Sequence, residues 1–384
     1  MVYKDFKDIK LSALGLGCMR LPVLNEDPAQ IDQAQVDDMV SYALEHGINY
    51  FDTAWMYHKG NSEIAIGKAL AKHPRESFYL SSKFPGYDSA NMTSAKEIFE
   101  KQLEKCGVDY FDFYLMHNIN ENNQDFYLDE NNEVWEYFAG EVKAGRIKHL
   151  GFSIHGQHDL LKKVLDKYGN IMEFCQIQLN WLDWKLQNAK AKVEMIESYG
   201  LPVWVMEPVR GGKLAKLEDK YEAQLNELRP GVSMPEWCFR FLQGIPSVTM
   251  TLSGMSNMEQ LIANVKTYET FEPLSEKEKE TLLGIADEML KEKTLPCTVC
   301  RYCTTYCPMQ IDIPKMVAVY NECVYNGSGF AAKRVLDHEP AGHRPEDCIG
   351  CGACQQACPQ MIEIPKMMQE LDAIYKAELA KQAK

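Results

Sequence analysis

The run Cys297-Thr-Val-Cys300-Arg-Tyr-Cys303-Thr-Thr-Tyr-Cys307-Pro returns 51 positions later as Cys348-Ile-Gly-Cys351-Gly-Ala-Cys354-Gln-Gln-Ala-Cys358-Pro. Both runs continue into Ile-Pro-Lys-Met, starting at Ile313 and at Ile364, so the segment is a duplicated unit. In a C-x2-C-x2-C loop, three thiolates can cap three corners of an iron–sulfur cube, while the Cys-Pro that follows leaves in another direction and ligates the neighbouring cube. The spacing therefore predicts two [4Fe–4S] clusters. One takes Cys297, Cys300, Cys303 and Cys358; the other takes Cys348, Cys351, Cys354 and Cys307. Zinc also accepts four thiolates, but zinc ribbons use two separated C-x2-C pairs rather than a run of three plus Cys-Pro, and here the run occurs twice. The other five cysteines, Cys18, Cys106, Cys175, Cys238 and Cys323, lie among apolar neighbours and read as small buried hydrophobes.

This segment resembles two-cluster ferredoxins. Its Pro-Lys-Met helix starts and the long interval between half-repeats are more similar to the helical ferredoxin modules of respiratory and anaerobic enzymes than to the compact βαβ ferredoxin.

Ahead of the cysteines, residues 1 to about 270 alternate short β-rich runs with amphipathic stretches. The strand-like runs are Leu14–Met19, Asn49–Asp52, Phe78–Ser82, Phe111–Met116, Ile147–Ser153, Phe174–Leu179, Val203–Met206 and Val248–Leu252. Helical patterns fill the intervals, as at Gln35–Glu45, Ser62–Ala71, Thr93–Cys106, Val134–Ala144, Leu160–Tyr168, Gln187–Tyr199 and Met258–Thr267. Eight such units over this length predict a (β/α)8 TIM barrel. A doubly wound sheet would want G-x-G-x-x-G after its first strand, and the sequence has none. The expected class is thus α/β, a barrel over 1–272, a helical connector over 273–294 capped by Ser275, and a small, mainly helical ferredoxin-like domain over 295–384.

A net charge of −14 disfavours nucleic acid and anionic membrane as partners. The longest uncharged stretch, Phe241–Met258, is too polar for a spanning helix and reads as a buried strand with its loops. With no apolar leader at Met1–Asp8, the expected location is cytoplasmic.

Barrel chemistry sits at the C-terminal ends of strands, and four polar residues stand there. Asp52 ends one strand, Tyr57 follows five residues on, Lys83 ends the next strand and His117 the one after. Singly, each has an ordinary reading as a cap, a satisfied core group or a surface charge. Together they form a proton-transfer set: a phenol is a poor acid at neutral pH unless a cation favours its phenolate, a buried lysine stays charged beside a carboxylate, and a histidine can orient a substrate oxygen.

The stretch Asp52-Thr-Ala-Trp-Met-Tyr57-His-Lys-Gly-Asn61-Ser-Glu63-Ile-Ala-Ile-Gly67 resembles the signature of the aldo-keto reductases, and Lys83 and His117 fall at that family's strand ends. The resemblance implies a barrel that holds NADP(H) or NAD(H) in an extended pose, with Tyr57 as acid for carbonyl reduction and base for alcohol oxidation. It further implies that Ser153 and Gln176 bind the nicotinamide carboxamide, that Met206 stands where an aromatic usually stacks on the ring, and that Ile154 stands where many members have Asn or Arg. Gly254-Met-Ser256-Asn257-Met-Glu-Gln260-Leu-Ile-Ala-Asn264 is similar to the family's adenosine-phosphate segment, with Ser256 expected to cap the next helix. Gly17, Met19 and Asp52 complete the implied cofactor set; Arg210, in Arg210-Gly-Gly-Lys213, either grips the pyrophosphate or belongs to an ordinary basic loop. Trp55, Trp181 and Trp184 are either pocket walls or core.

Three functions compete. The first is NAD(P)H-dependent carbonyl reduction or alcohol oxidation on a small molecule, with clusters for electron transfer or for structure. The second is electron transfer between a nicotinamide and a ferredoxin or flavodoxin. The third is a non-catalytic cofactor-sensing module, against which the complete tetrad argues. Hydride transfer moves two electrons and needs no cluster, a cluster moves one, and no flavin motif is present to couple them.

Overall fold

The computed structural model describes residues 1–291, 293–297, 301–358 and 360–382. The chain divides into two compact units: 1–181 with 190–281, and 182–189 with 282–384.

The first unit is a closed parallel barrel preceded by an antiparallel hairpin of β1 (Tyr3–Phe6) and β2 (Ile9–Ser12). Barrel strands are β3 (Leu14–Gly17), β4 (Tyr50–Asp52), β5 (Tyr79–Phe84), β6 (Phe111–Ile119), β7 (Ile147–Ile154), β8 (Cys175–Gln178), β9 (Val203–Met206) and β10 (Val248–Ser253), with β10 closing onto β3. They form at the β-rich runs, whose residues are buried nearly throughout, polar ones such as Ser81, Ser82, Lys83, Ser153 and Gln176 included, because a parallel strand covered on both faces has no solvent side. The expected eight strands are thus observed.

The hairpin is an addition to the sequence reading. Phe6 packs 5.1 Å from Trp204 and 5.6 Å from Phe113, and shares a buried cluster with Leu11, Tyr50 and Phe174. These partners sit near the starts of their strands, so the hairpin stoppers the N-terminal end of the barrel. The opposite end is left for chemistry. One close approach fixes the wall there: a Cβ on Gly67 would lie 2.4 Å from the Cys106 carbonyl oxygen, so only glycine lets helix Ser62–Leu70 rest on helix Ala95–Cys106.

Ser275 caps helix Glu276–Lys291 as expected, exchanging hydrogen bonds with Glu278, and the division between units falls inside this helix. The second unit is helical: Tyr302–Thr305, Ile313–Asn326, Phe330–Leu336, Ala353–Gln356 and Ile364–Gln382. The duplication in sequence is a duplication in structure. Arg301 and Gly352 both take positive φ before a short helix, as do Gln310 and Met361 after it. Cys303, Ile311, Ile313 and Met316 are buried together with their repeat partners Cys354, Ile362, Ile364 and Met367 in one core. Among the described residues, no helix is long and apolar enough to cross a membrane.

Candidate functional site

The ends of β4, β5 and β6 bring three of the four residues together, and the turn Tyr57–Gly60 brings the fourth. Lys83 is fully buried, and its Nζ donates to Asp52 Oδ1 at 2.5 Å, to the Thr53 carbonyl at 2.7 Å and to Tyr57 Oη at 3.5 Å. The Tyr57 and His117 rings meet edge to face at 5.9 Å. The Tyr57 turn is held in an unfavourable backbone: His58 and Lys59 both have positive φ. His58 anchors it, with Nε2 accepting from the Leu21 N–H at 3.0 Å and Nδ1 bonded to the Pro28 carbonyl at 2.9 Å.

The electrostatics are those of a charged pair beside neutral rings. Withdrawal from water works against the Lys83 ammonium, but the Asp52 carboxylate and the Tyr57 oxygen outweigh it and raise Lys83 above its ordinary value. Burial pushes Asp52 up while Lys83 pulls it back. Tyr57 is raised by burial against the opposing pull of Lys83, so its hydroxyl keeps its proton at neutral pH. His117 lies well below its ordinary value, because of its withdrawal from water and then the nearby Lys83 and His155, and is therefore a neutral imidazole. Its Nδ1 is buried without a hydrogen-bond partner among the described residues.

A second shell of contacts backs Lys83. The fully buried Glu63 accepts from Ser82 Oγ at 2.6 Å and Gln102 Nε2 at 2.7 Å, and pairs with Lys105 at 2.6 Å. Gln102 also donates to the Lys83 carbonyl at 3.0 Å and accepts from Tyr114 Oη at 2.5 Å. Lys105 Nζ lies 4.5 Å over the Trp55 ring. Sequence reasoning placed Glu63 in the signature without this role; the signal available was Gln102 and Lys105, one turn apart on the facing helix.

Of the implied cofactor residues, Ser153 and Gln176 are register partners on β7 and β8. Ser153 Oγ accepts from the Asn118 N–H at 2.8 Å, and Gln176 Oε1 is buried without a partner among the described residues. Ile154 and Met206 end β7 and β9, Gly17 ends β3 beside Asp52, and Met19 is exposed on the turn that follows. Gly254 admits the Arg20 side chain, which a Cβ there would meet at 3.1 Å. Arg210 is buried.

One expectation is corrected. Asn257, not Ser256, caps helix Met258–Thr267, accepting from the Gln260 N–H at 2.9 Å. The Ser256 N–H instead donates to Gln260 Oε1 at 2.8 Å, and Asn264 Nδ2 donates to Ser253 Oγ at 3.2 Å, so these two amides shape the loop itself. Trp181 is core, fully buried with Nε1 donating to Cys238 Sγ at 3.3 Å. Trp184 sits on short helix Asp183–Leu186, grouped with the second unit.

In that unit, two clefts of equal size, each with about 330 Å³ of atom-free space, are lined by cysteines from both repeats. One is lined by Cys307, Cys348, Cys351 and Cys354, the other by Cys297, Cys303 and Cys358. Cys300 lies outside the described residues. In each cleft the Cys-Pro cysteine of one run shares the lining with described cysteines of the other run's triplet. Among the described residues, no three His, Cys, Asp or Glu side chains converge as the ligands of a single metal ion would; the thiols surround a space.

Known proteins resemble both parts. The profile of the aldo/keto reductase family matches residues 13–287, and that of a 4Fe-4S dicluster domain matches 296–363. The oxidoreductase YqkF of Bacillus subtilis is 26% identical over 291 residues, 67% of this chain and 88% of that protein. The NADH-specific methylglyoxal reductase of Escherichia coli is 26% identical over 307 residues, again 67% of this chain and 90% of that protein. An aldo-keto reductase of Mycobacterium avium reaches 30% identity over 166 residues, spanning 54% of its own length. A holo-form aldo-keto reductase structure from Bacillus halodurans superposes with a TM-score of 0.62 at 24% identity, covering 74% of this chain and 96% of that one, which speaks for the fold. The chain belongs to the aldo/keto reductase family, as an oxidoreductase whose barrel is followed by a 4Fe–4S dicluster domain.

Proposed function

We propose that the barrel reduces a small-molecule carbonyl with NADPH or NADH, and in reverse oxidises the alcohol, using Tyr57, Lys83, Asp52 and His117. The observation that carries this reading is Lys83, bonded to Asp52 and within 3.5 Å of the Tyr57 hydroxyl in a buried setting. The nicotinamide, when bound, supplies the hydride. Tyr57 gives its proton to the carbonyl oxygen, Lys83 stabilises the phenolate that forms, and Asp52 keeps Lys83 charged. Neutral His117 orients the carbonyl oxygen by hydrogen bonding.

The unpartnered Gln176 Oε1, beside Ser153, suits the N–H of a carboxamide, and Met206 would lie against the ring. Gly17, Met19, Arg210 and the Gly254–Asn264 segment take the rest of the cofactor. That segment itself holds no arginine to grip a 2′-phosphate, so nothing in it selects NADPH over NADH.

In the second unit, Cys297, Cys300, Cys303 and Cys358 hold one [4Fe–4S] cluster, and Cys307, Cys348, Cys351 and Cys354 the other; the crossed lining of the clefts supports this. Cys351 is exposed, as are Tyr306 and Ile349 on the same rim, which favours electron exchange with a one-electron carrier of the ferredoxin or flavodoxin kind over a bracing role alone.

Replacing Tyr57 by Phe tests the reading. NAD(P)H-dependent reduction of a carbonyl should fall 10²–10⁴-fold while nicotinamide binding and iron content persist. Turnover at the parent rate would reject Tyr57 as the proton donor.

A further inference from the structure

The two half-repeats of the second unit agree in spacing and backbone but not in charge. Arg301 and Gly352 hold the same place, between the second and third cysteines of their runs, and both have positive φ, 62° and 73°. That backbone is natural for glycine and unfavourable for a residue with a Cβ. Arginine in the first run therefore carries a local cost that glycine in the second run avoids. Arg301 lines the cleft of Cys297, Cys303 and Cys358, and among the described lining residues it is the only charged one. Its Nη1 donates to Asp312 Oδ2 at 3.4 Å, and Asp312 caps helix Ile313–Asn326, whose first residues Ile313 and Pro314 line the same cleft. The guanidinium is thus tethered to a wall of the cleft. The other cleft, of Cys307, Cys348, Cys351 and Cys354, has Gly352 at the matching place and no charged residue among the described ones that line it.

We propose that Arg301 raises the reduction potential of the [4Fe–4S] cluster held by Cys297, Cys300, Cys303 and Cys358, a bias the second cluster lacks, so that the duplicated halves are electronically unequal. Reduction makes a cluster with its thiolates one charge more negative, and a fixed positive charge beside it favours that state. Because Arg301 is exposed, water and salt weaken the effect without removing it. This rests on the cluster reading of the cysteines and adds to it an inequality between the two.

The test is a redox titration of the anaerobically purified chain at low salt, where the charge is least screened, followed by electron paramagnetic resonance of the reduced clusters. Arg301→Gly puts the other run's residue into a backbone that suits it, so iron content should hold. One of the two reduction steps should fall by about 60 mV, a tenfold change in the ratio of reduced to oxidised cluster for a one-electron couple. Arg301→Gln, neutral but of similar length, should show the same fall, and Arg301→Lys, which keeps the charge, should stay near the parent value. Steps unmoved in both neutral variants at full iron content, both steps moved alike, or an equal fall in Arg301→Lys overturns the inference alone. A parent without iron overturns it together with the cluster reading on which it rests.

Discussion

The barrel and the cysteine-rich unit reach a functional site by opposite routes. In the barrel, Asp52, Lys83 and His117 come from three strand ends and Tyr57 from the turn after the first, Glu63 and Gln102 back Lys83, and the Tyr127 hydroxyl donates to the His117 carbonyl at 2.8 Å; position is supplied by a large apolar core stoppered by Phe6. In the second unit the cysteines come in two short runs, and a small core of Ile, Val and Met residues lies directly under them. A scaffold with its own core should tolerate the loss of what it binds, whereas one whose core is small and ringed by ligands should depend on what those ligands hold.

The largest expected effect exploits that difference. Purified without oxygen, the chain should carry about eight irons, the content of two four-iron clusters. Cys354→Ala removes a buried thiol from the cleft of four, so iron should fall to about four or fewer and residues 295–384 should become sensitive to protease. Carbonyl reduction by the barrel should persist. Unchanged iron in the variant, or stoichiometric zinc in the parent, would reject the cluster assignment.

Glu63→Gln makes the converse break. It leaves the Lys105 ammonium, largely buried, without its charge partner, and removing one member of such a pair costs about 3–5 kcal/mol. Barrel unfolding is readable by tryptophan emission, since five of the six tryptophans lie in the first unit and Trp184 alone in the second. The transition should move to lower temperature with iron content untouched. Iron falling in step with barrel stability would show that the two units are not independent.

How far the sequence could be read follows the same divide. The strands were legible because short β-rich runs alternate with amphipathic helical patterns, and the dicluster domain because the Cys-Pro run occurs twice at the same spacing. The tetrad was legible through its signature. The hairpin was not: Tyr3-Lys-Asp-Phe and Ile-Lys-Leu-Ser are too short and too charged to announce strands, and only the packing of Phe6 and Leu11 reveals their purpose. The cap at Asn257 was missed by one residue because Ser256 is an equally good cap in composition, and backbone geometry alone decides between them.

The smallest effect locates where barrel stability ends. Glu278, in the first turn of helix Glu276–Lys291, accepts from Arg229 Nε at 2.7 Å and Nη2 at 3.2 Å, and from the Ser275 N–H at 2.8 Å. Burial opposes its charge, but these donors prevail and hold the carboxyl down to about 2, from an ordinary 4.5. Because the folded value is depressed, the unfolded chain binds this proton first as pH falls. The stabilisation is therefore complete above pH 4.5 and is lost progressively from there towards pH 2. Since Arg229 is partly exposed, solvent screening keeps the contribution to about 1–3 kcal/mol. Glu278→Gln should lower barrel stability by that amount at pH 7 and equally at pH 5.5, with the gap to the parent narrowing by pH 3.5. The division between the units falls inside this helix, so the iron content of the variant at pH 7 sharpens the comparison further: unchanged iron would assign the Arg229–Glu278 clasp to the barrel alone.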